Sequence, residues 1–134
     1  MKNLMALAVL ITTLFTTNLH AGSKKVTITD DEKIALVNLF FDVVKEHDDI
    51  ERKFKKVTDD FVYIHEGYGG EYSRQDLYNG FVRNFKAGRY EDNEPIKILN
   101  TIHGLNIVMV KRDVDKATLF EFRGKKIARI KEFW

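Results

Sequence analysis

The sequence predicts an α+β domain in which a curved, mostly antiparallel sheet wraps around helices that come first in the chain. Three observations predict it. Helical periodicity with capping residues fills the first half of the chain beyond the N-terminal segment. From Pro95 on, the apolar residues shift to the pattern of strands, in four runs separated by short turns. The 134 residues are 44% hydrophobic and 31% charged, with one Pro and no repeat, which is the profile of one globular domain.

The first segment stands apart. Lys2 gives a positive start, Leu4 to Phe15 is apolar apart from Thr12 and Thr13, and Leu19-His20-Ala21 ends on a small residue. This is the three-part pattern of a secretory signal peptide over 1–21, with cleavage leaving a domain of 22–134. The expected location is periplasmic or secreted. The apolar stretch is short for a bilayer span, so no membrane attachment is expected after cleavage; an uncleaved anchor is the alternative. The sequence has no Cys, so stability must come from packing rather than disulfides. The net charge of +2 is spread among interspersed acids and bases, which excludes the basic face that nucleic-acid binding needs.

Thr29-Asp30-Asp31-Glu32 reads as a capping box, and Ile34, Val37, Phe41 and Val44 follow at helical spacing. The pattern predicts a helix over Asp30–His47. Asp48 and Asp49 can cap a short second helix carrying Ile50, Phe54 and Val57, which Asp59 and Asp60 would end. Phe61 to His65 is β-branched and aromatic, apart from His65, and predicts a strand buried on both sides. Glu66 to Tyr72 carries Gly67, Gly69 and Gly70 and reads as a loop. Ser73 to Asp76 caps a third helix bearing Leu77, Phe81 and Phe85, with Gly80 at a point of close packing and Gly88 at its end. The strand-like runs are Ile96–His103, Leu105–Val114, Ala117–Arg123 and Lys126–Trp134, an antiparallel meander.

That order of elements, with Asp59-Asp60-Phe61-Val62-Tyr63-Ile64-His65 and the closing Glu132-Phe133-Trp134, resembles the SnoaL-like branch of the nuclear transport factor two-like superfamily. The resemblance covers nearly all of the chain after the signal segment. It implies a cystatin-like cone of curved sheet closed by helices, with a pocket inside, and a homodimer paired through the outer sheet face. Family members include isomerases, dehydratases, cyclases, inactive subunits and binding modules, so the resemblance implies a fold rather than a reaction. Set against the family's ketosteroid isomerases, His65 falls where those enzymes place their carboxylate base. Thr118 falls at their neutral carboxylic acid, Phe41 at their tyrosine donor and Trp134 at a pocket-wall tryptophan. The two oxyanion donors are lost or weakened, so the resemblance does not extend to that chemistry.

The residues themselves single out His65, whose imidazole can exchange a proton near neutral pH and which ends a strand just before the Gly loop. Tyr63 alternates onto the same face and could donate its hydroxyl into the same cavity. If Trp134 faces the pocket, Glu132 shares that face with Ile130 and Ala128, and Glu132 with His65 would form an acid–base couple. The alternatives are a strand-end hydrogen bond for His65 and a sheet-edge pairing of Glu132 with Lys131 or Arg129. Tyr78 and Asn84 on the third helix, with Tyr68 and Tyr72 in the loop, either rim the opening or fill the core. The expected ligand is a small, mostly apolar molecule contacting Tyr63, His65, Tyr78, Thr118 and Trp134. His47, His65 and His103 form no metal-ligand pattern, no phosphate loop is present, and no nucleophilic Cys or Ser elbow occurs, so no metal and no cofactor are expected. Two classes of function remain: binding, or cofactor-independent isomerase, lyase or cyclase chemistry with His65 as base and Tyr63 or Glu132 as partner. A protein-interaction module using the outer sheet face is a third reading.

Overall fold

The computed structural model describes residues 26–113 and 115–134. The expected signal peptide and the first four residues of the expected mature chain lie outside this range. Three helices precede most of the sheet: α1 (Asp30–Phe41), α2 (His47–Phe54) and α3 (Arg74–Lys86). The six strands are β1 (Val57–His65), β2 (Gly70–Ser73), β3 (Asn100–His103), β4 (Ile107–Asp113), β5 (Lys116–Arg123) and β6 (Lys126–Glu132). They form one sheet in the order β2-β1-β6-β5-β4-β3. The meander is antiparallel as expected, and β1 joins it by running parallel to β6. The α+β architecture of the sequence reading is therefore the observed one.

Several boundaries differ. The helix expected to reach His47 stops at Phe41, because Asp42 turns extended and its carboxylate accepts from the Val43 amide. The freed carbonyls of Leu39, Phe40 and Asp42 accept from the buried Lys53 ammonium at 2.7, 3.1 and 2.6 Å, a cationic cap at the negative end of the helix. Glu46, rather than Asp48 or Asp49, is the N-cap of α2. Asp49 sits three residues on and accepts from the Lys45 and Glu46 amides.

Asp59 and Asp60 do not end a helix but lie inside β1, exposed, where Asp60 pairs with Arg123. The strand is not buried on both sides: Phe61 and His65 are covered while Val62 and Ile64 are half-exposed on the outer face. The expected Gly loop contains a 3-10 turn, Glu66–Tyr68, and the edge strand β2. Gly67 is needed there because a Cβ would come within 2.1 Å of the Trp134 carbonyl oxygen.

The core is aromatic. Phe40 lies edge-on to both Phe81 and Phe120, and Phe41 to Phe120. Irregularities in the ladders curve the sheet around this core, between Val57 and Val62, Lys111 and Asp113, and Glu121 and Phe122. The last one leaves Ala128 unpaired and puts Ile127 and Ile130 inside, so Ala128 does not share the alternating inner face expected of it.

Candidate functional site

Cross-strand register assembles the site. Glu132 on β6 stands opposite His65 of β1 on one side and Thr118 of β5 on the other. All three point to the concave face, at 5%, 5% and 0% exposure. Polar side chains this deeply buried need partners. Glu132 finds one in Arg112, whose Nη2 donates to Oε2 at 2.8 Å. The neighbours expected for a sheet-edge pairing are engaged elsewhere, Lys131 with Glu66 and Arg129 with Glu121.

Arg112 was not singled out in the sequence, although Val108, Val110 and Arg112 alternate onto the inner face of β4. Its guanidinium lies 5.2 Å from the Phe41 ring and 4.9 Å from the Trp134 ring, held by cation–π contact as well as by the carboxylate.

His65 Nε2 lies 3.9 Å from Glu132 Oε2, beyond hydrogen-bonding distance. Among the described residues neither imidazole nitrogen has a hydrogen-bond partner, and the same holds for Thr118 Oγ1, Trp134 Nε1 and Arg112 Nε. Tyr68 stacks on the imidazole at 4.2 Å and Trp134 meets it edge-on at 4.5 Å. Tyr68 is itself 78% exposed, so one aromatic ring separates His65 from the surface.

Burial pushes the Glu132 carboxyl above its ordinary value, and Arg112 and His65 beside it pull it only part of the way back. Burial, reinforced by the negative charge of Glu132, likewise raises the Tyr63 hydroxyl, which stays protonated and able to donate.

Two adjoining cavities open beside this cluster. One, of about 210 Å³, lies between the end of α1, α3 and the sheet, with Glu132 and Arg112 in its wall. The other, of about 280 Å³, is lined by His65, Tyr68, Tyr72 and Asn84. Tyr63, Leu77, Phe81 and Tyr90 are common to both. The structure thus brings Tyr63, His65, Thr118, Glu132 and Trp134 together. Tyr78 lies elsewhere: its hydroxyl bonds Glu51 on α2 and its ring packs edge-on against Phe54. Gly80 is not a point of close packing, since a Cβ there meets nothing within 4 Å; it forms part of the second cavity's wall.

A curved sheet closed by helices around an inner cavity defines the class of fold, that of the nuclear transport factor two-like superfamily. A ketosteroid isomerase-like protein from Catenulispora acidiphila, in complex with trimethylamine, is 13% identical and superposes with a TM-score of 0.55 over 80% of this chain and 87% of its own. An LEH-like epoxide hydrolase from M. tuberculosis is 15% identical, with a TM-score of 0.57 over 76% and 81% of the two chains. An uncharacterised cystatin fold protein from Novosphingobium aromaticivorans is 16% identical, with a TM-score of 0.55 over 78% and 96%. At these identities the likeness establishes the fold. Neither a protein-family model nor a curated protein matches the chain.

Proposed function

We propose that this protein is an exported pocket protein that binds a small, mostly apolar molecule inside its cone. The observation that carries the reading is the first cavity: aromatic and aliphatic walls with one buried ion pair, Arg112–Glu132, at the sheet. Apolar walls supply affinity, and a few fixed polar groups orient the ligand. The fold's occurrence with bound trimethylamine in another protein supports a cavity of this kind taking small molecules. Native mass spectrometry of the protein purified from its host compartment tests the reading. A co-purifying small molecule that is lost in Arg112→Met supports it; an empty protein that also binds nothing from a metabolite extract overturns it.

The geometry around His65 favours one second reading, cofactor-independent proton-transfer chemistry. A buried imidazole faces a carboxyl whose proton affinity is raised, and Tyr63 lies beside both. Loss of turnover in His65→Ala, with ligand binding retained, separates this from binding alone.

The signal-peptide pattern over 1–21 supports the export half of the proposal, and protein sequencing of the mature N-terminus tests it, with Gly22 expected first. For quaternary structure we propose a homodimer through the convex sheet face. Ile102, Met109 and Leu119 form an apolar row directly across β3, β4 and β5. The Glu121–Arg129 pair flanks that row, which lets a two-fold mate match acid to base.

A further inference from the structure

The smaller cavity has an unusual chemical lining. Five of its side chains are aromatic: Phe40, Phe41, Tyr63, Phe81 and Tyr90. Its charged residues are Asp42, Glu94 and Glu132 against Arg112 alone, three negative and one positive, which leaves two negative charges. Asp42 and Glu94 are exposed at the rim, whereas Glu132 is buried and already neutralises Arg112. An incoming ligand therefore meets a mouth of negative potential and then ring faces. Aromatic faces carry negative charge density and attract cations, most strongly where water is excluded. The protein already exploits this beside the cavity, where Phe41 and Trp134 flank the Arg112 guanidinium.

We propose that this cavity selects a small organic cation, an alkylamine or quaternary ammonium compound, over neutral and anionic molecules of the same shape. The inference rests on the reading of the cavity as a ligand pocket and names the class of ligand. Size agrees with it. At about 210 Å³ the space is below the roughly 300–1,000 Å³ of drug-sized pockets and suits a ligand of few heavy atoms. A quaternary ammonium group is the better fit, because it has no N–H that must find an acceptor on burial and the ring faces offer none. An anion is opposed by the rim carboxylates during approach, and after entry it finds the one cation of the wall, Arg112, already paired with Glu132.

Isothermal titration calorimetry with three isosteric probes tests this: choline, 3,3-dimethylbutan-1-ol and 3,3-dimethylbutanoate. Choline is expected to bind at least ten-fold tighter than the alcohol, with the carboxylate weakest. Tyr90→Leu is expected to reduce choline affinity at least five-fold and Tyr90→Phe to preserve it, since the ring rather than the hydroxyl makes the contact. Glu94→Gln, an exposed and charge-only change, is expected to weaken choline two- to three-fold at low salt and to leave the alcohol unchanged. Equal binding of choline and the alcohol, or preference for the carboxylate, overturns the cation inference while the pocket reading stands. Failure of all three probes also overturns the cation inference, and the pocket reading then rests on the co-purification experiment alone.

Discussion

Glu132 stands opposite His65 in the parallel ladder between β1 and β6, with His65 Nε2 3.9 Å from Glu132 Oε2, while Arg112 holds the same carboxylate oxygen at 2.8 Å. The carboxylate thus lies between a permanent cation and a titratable ring, and both its stability and its proton affinity depend on which of the two is present.

Removing Arg112 leaves Glu132 buried without its counter-charge. Arg112→Met is expected to cost about 3–5 kcal/mol in urea denaturation. The double variant Arg112→Met/Glu132→Leu is expected to regain most of this, because no charge then remains buried. A single variant as stable as the wild type would mean that Glu132 reaches water without Arg112.

Because the folded-state pKa of Glu132 is raised from 4.5, the folded chain keeps a proton that the unfolded chain has already lost. The stabilisation from this group is full below 4.5 and is lost as pH rises through the folded-state value. The wild type is therefore expected to gain stability relative to Glu132→Gln as pH falls from neutral toward 4.5. Paired urea titrations of the two proteins measure the difference. The lowered carboxyls, such as Asp49, act in the opposite direction and cancel in it.

Lys53→Met keeps an apolar stem and removes three hydrogen bonds to the end of α1, so a loss of about 2–3 kcal/mol is expected. Burial pushes the Lys53 ammonium down to about 8 from 10.5. Between those values the unfolded chain holds the extra proton, so the wild type should gain on the variant as pH rises across that window.

Gly80→Ala puts a methyl group where nothing lies within 4 Å and improves helix propensity inside α3. The expected gain is about 0.5–1 kcal/mol, read as a rise in Tm of a few degrees. Gly80→Leu extends further into the second cavity and is expected to weaken any ligand that lies against Asn84 and Tyr68.

Leu119→Glu places a charge at the end of the convex apolar row, between Met109 and Lys131. A monomer in sedimentation velocity, with an unchanged circular dichroism spectrum, is expected. A dimer that persists would move the interface to another surface.

The sequence made the fold readable because its signals were local. Thr29 with Glu32 and Ser73 with Asp76 are reciprocal capping pairs in the structure, as their spacing indicates. The meander followed from period and turn residues. What escaped was set by distant partners. Helix α1 ends where it does partly because Lys53, fourteen residues beyond Leu39, takes its carbonyls. Strand β2 is a short, mostly exposed edge whose pairing with β1 overrides its glycine. In the site, period two was enough to put Tyr63 with His65, but Arg112 reaches Glu132 from another strand and no local pattern marks that ion pair. Tyr78 follows the core-filling alternative, since an aromatic on a helix face does not announce which neighbouring helix it meets.

The pairing of β6 with β1 also governs when the domain can form. β6 comes last among the described strands, yet it occupies the middle of the sheet between β1 and β5. Until it emerges during synthesis, β1 with its hairpin partner β2 and the β3–β5 meander are two fragments with no shared ladder. Contacts so distant in sequence raise the entropic cost of the folding nucleus and slow its formation. Removing β6 would therefore take out the seam of the sheet rather than trim its edge.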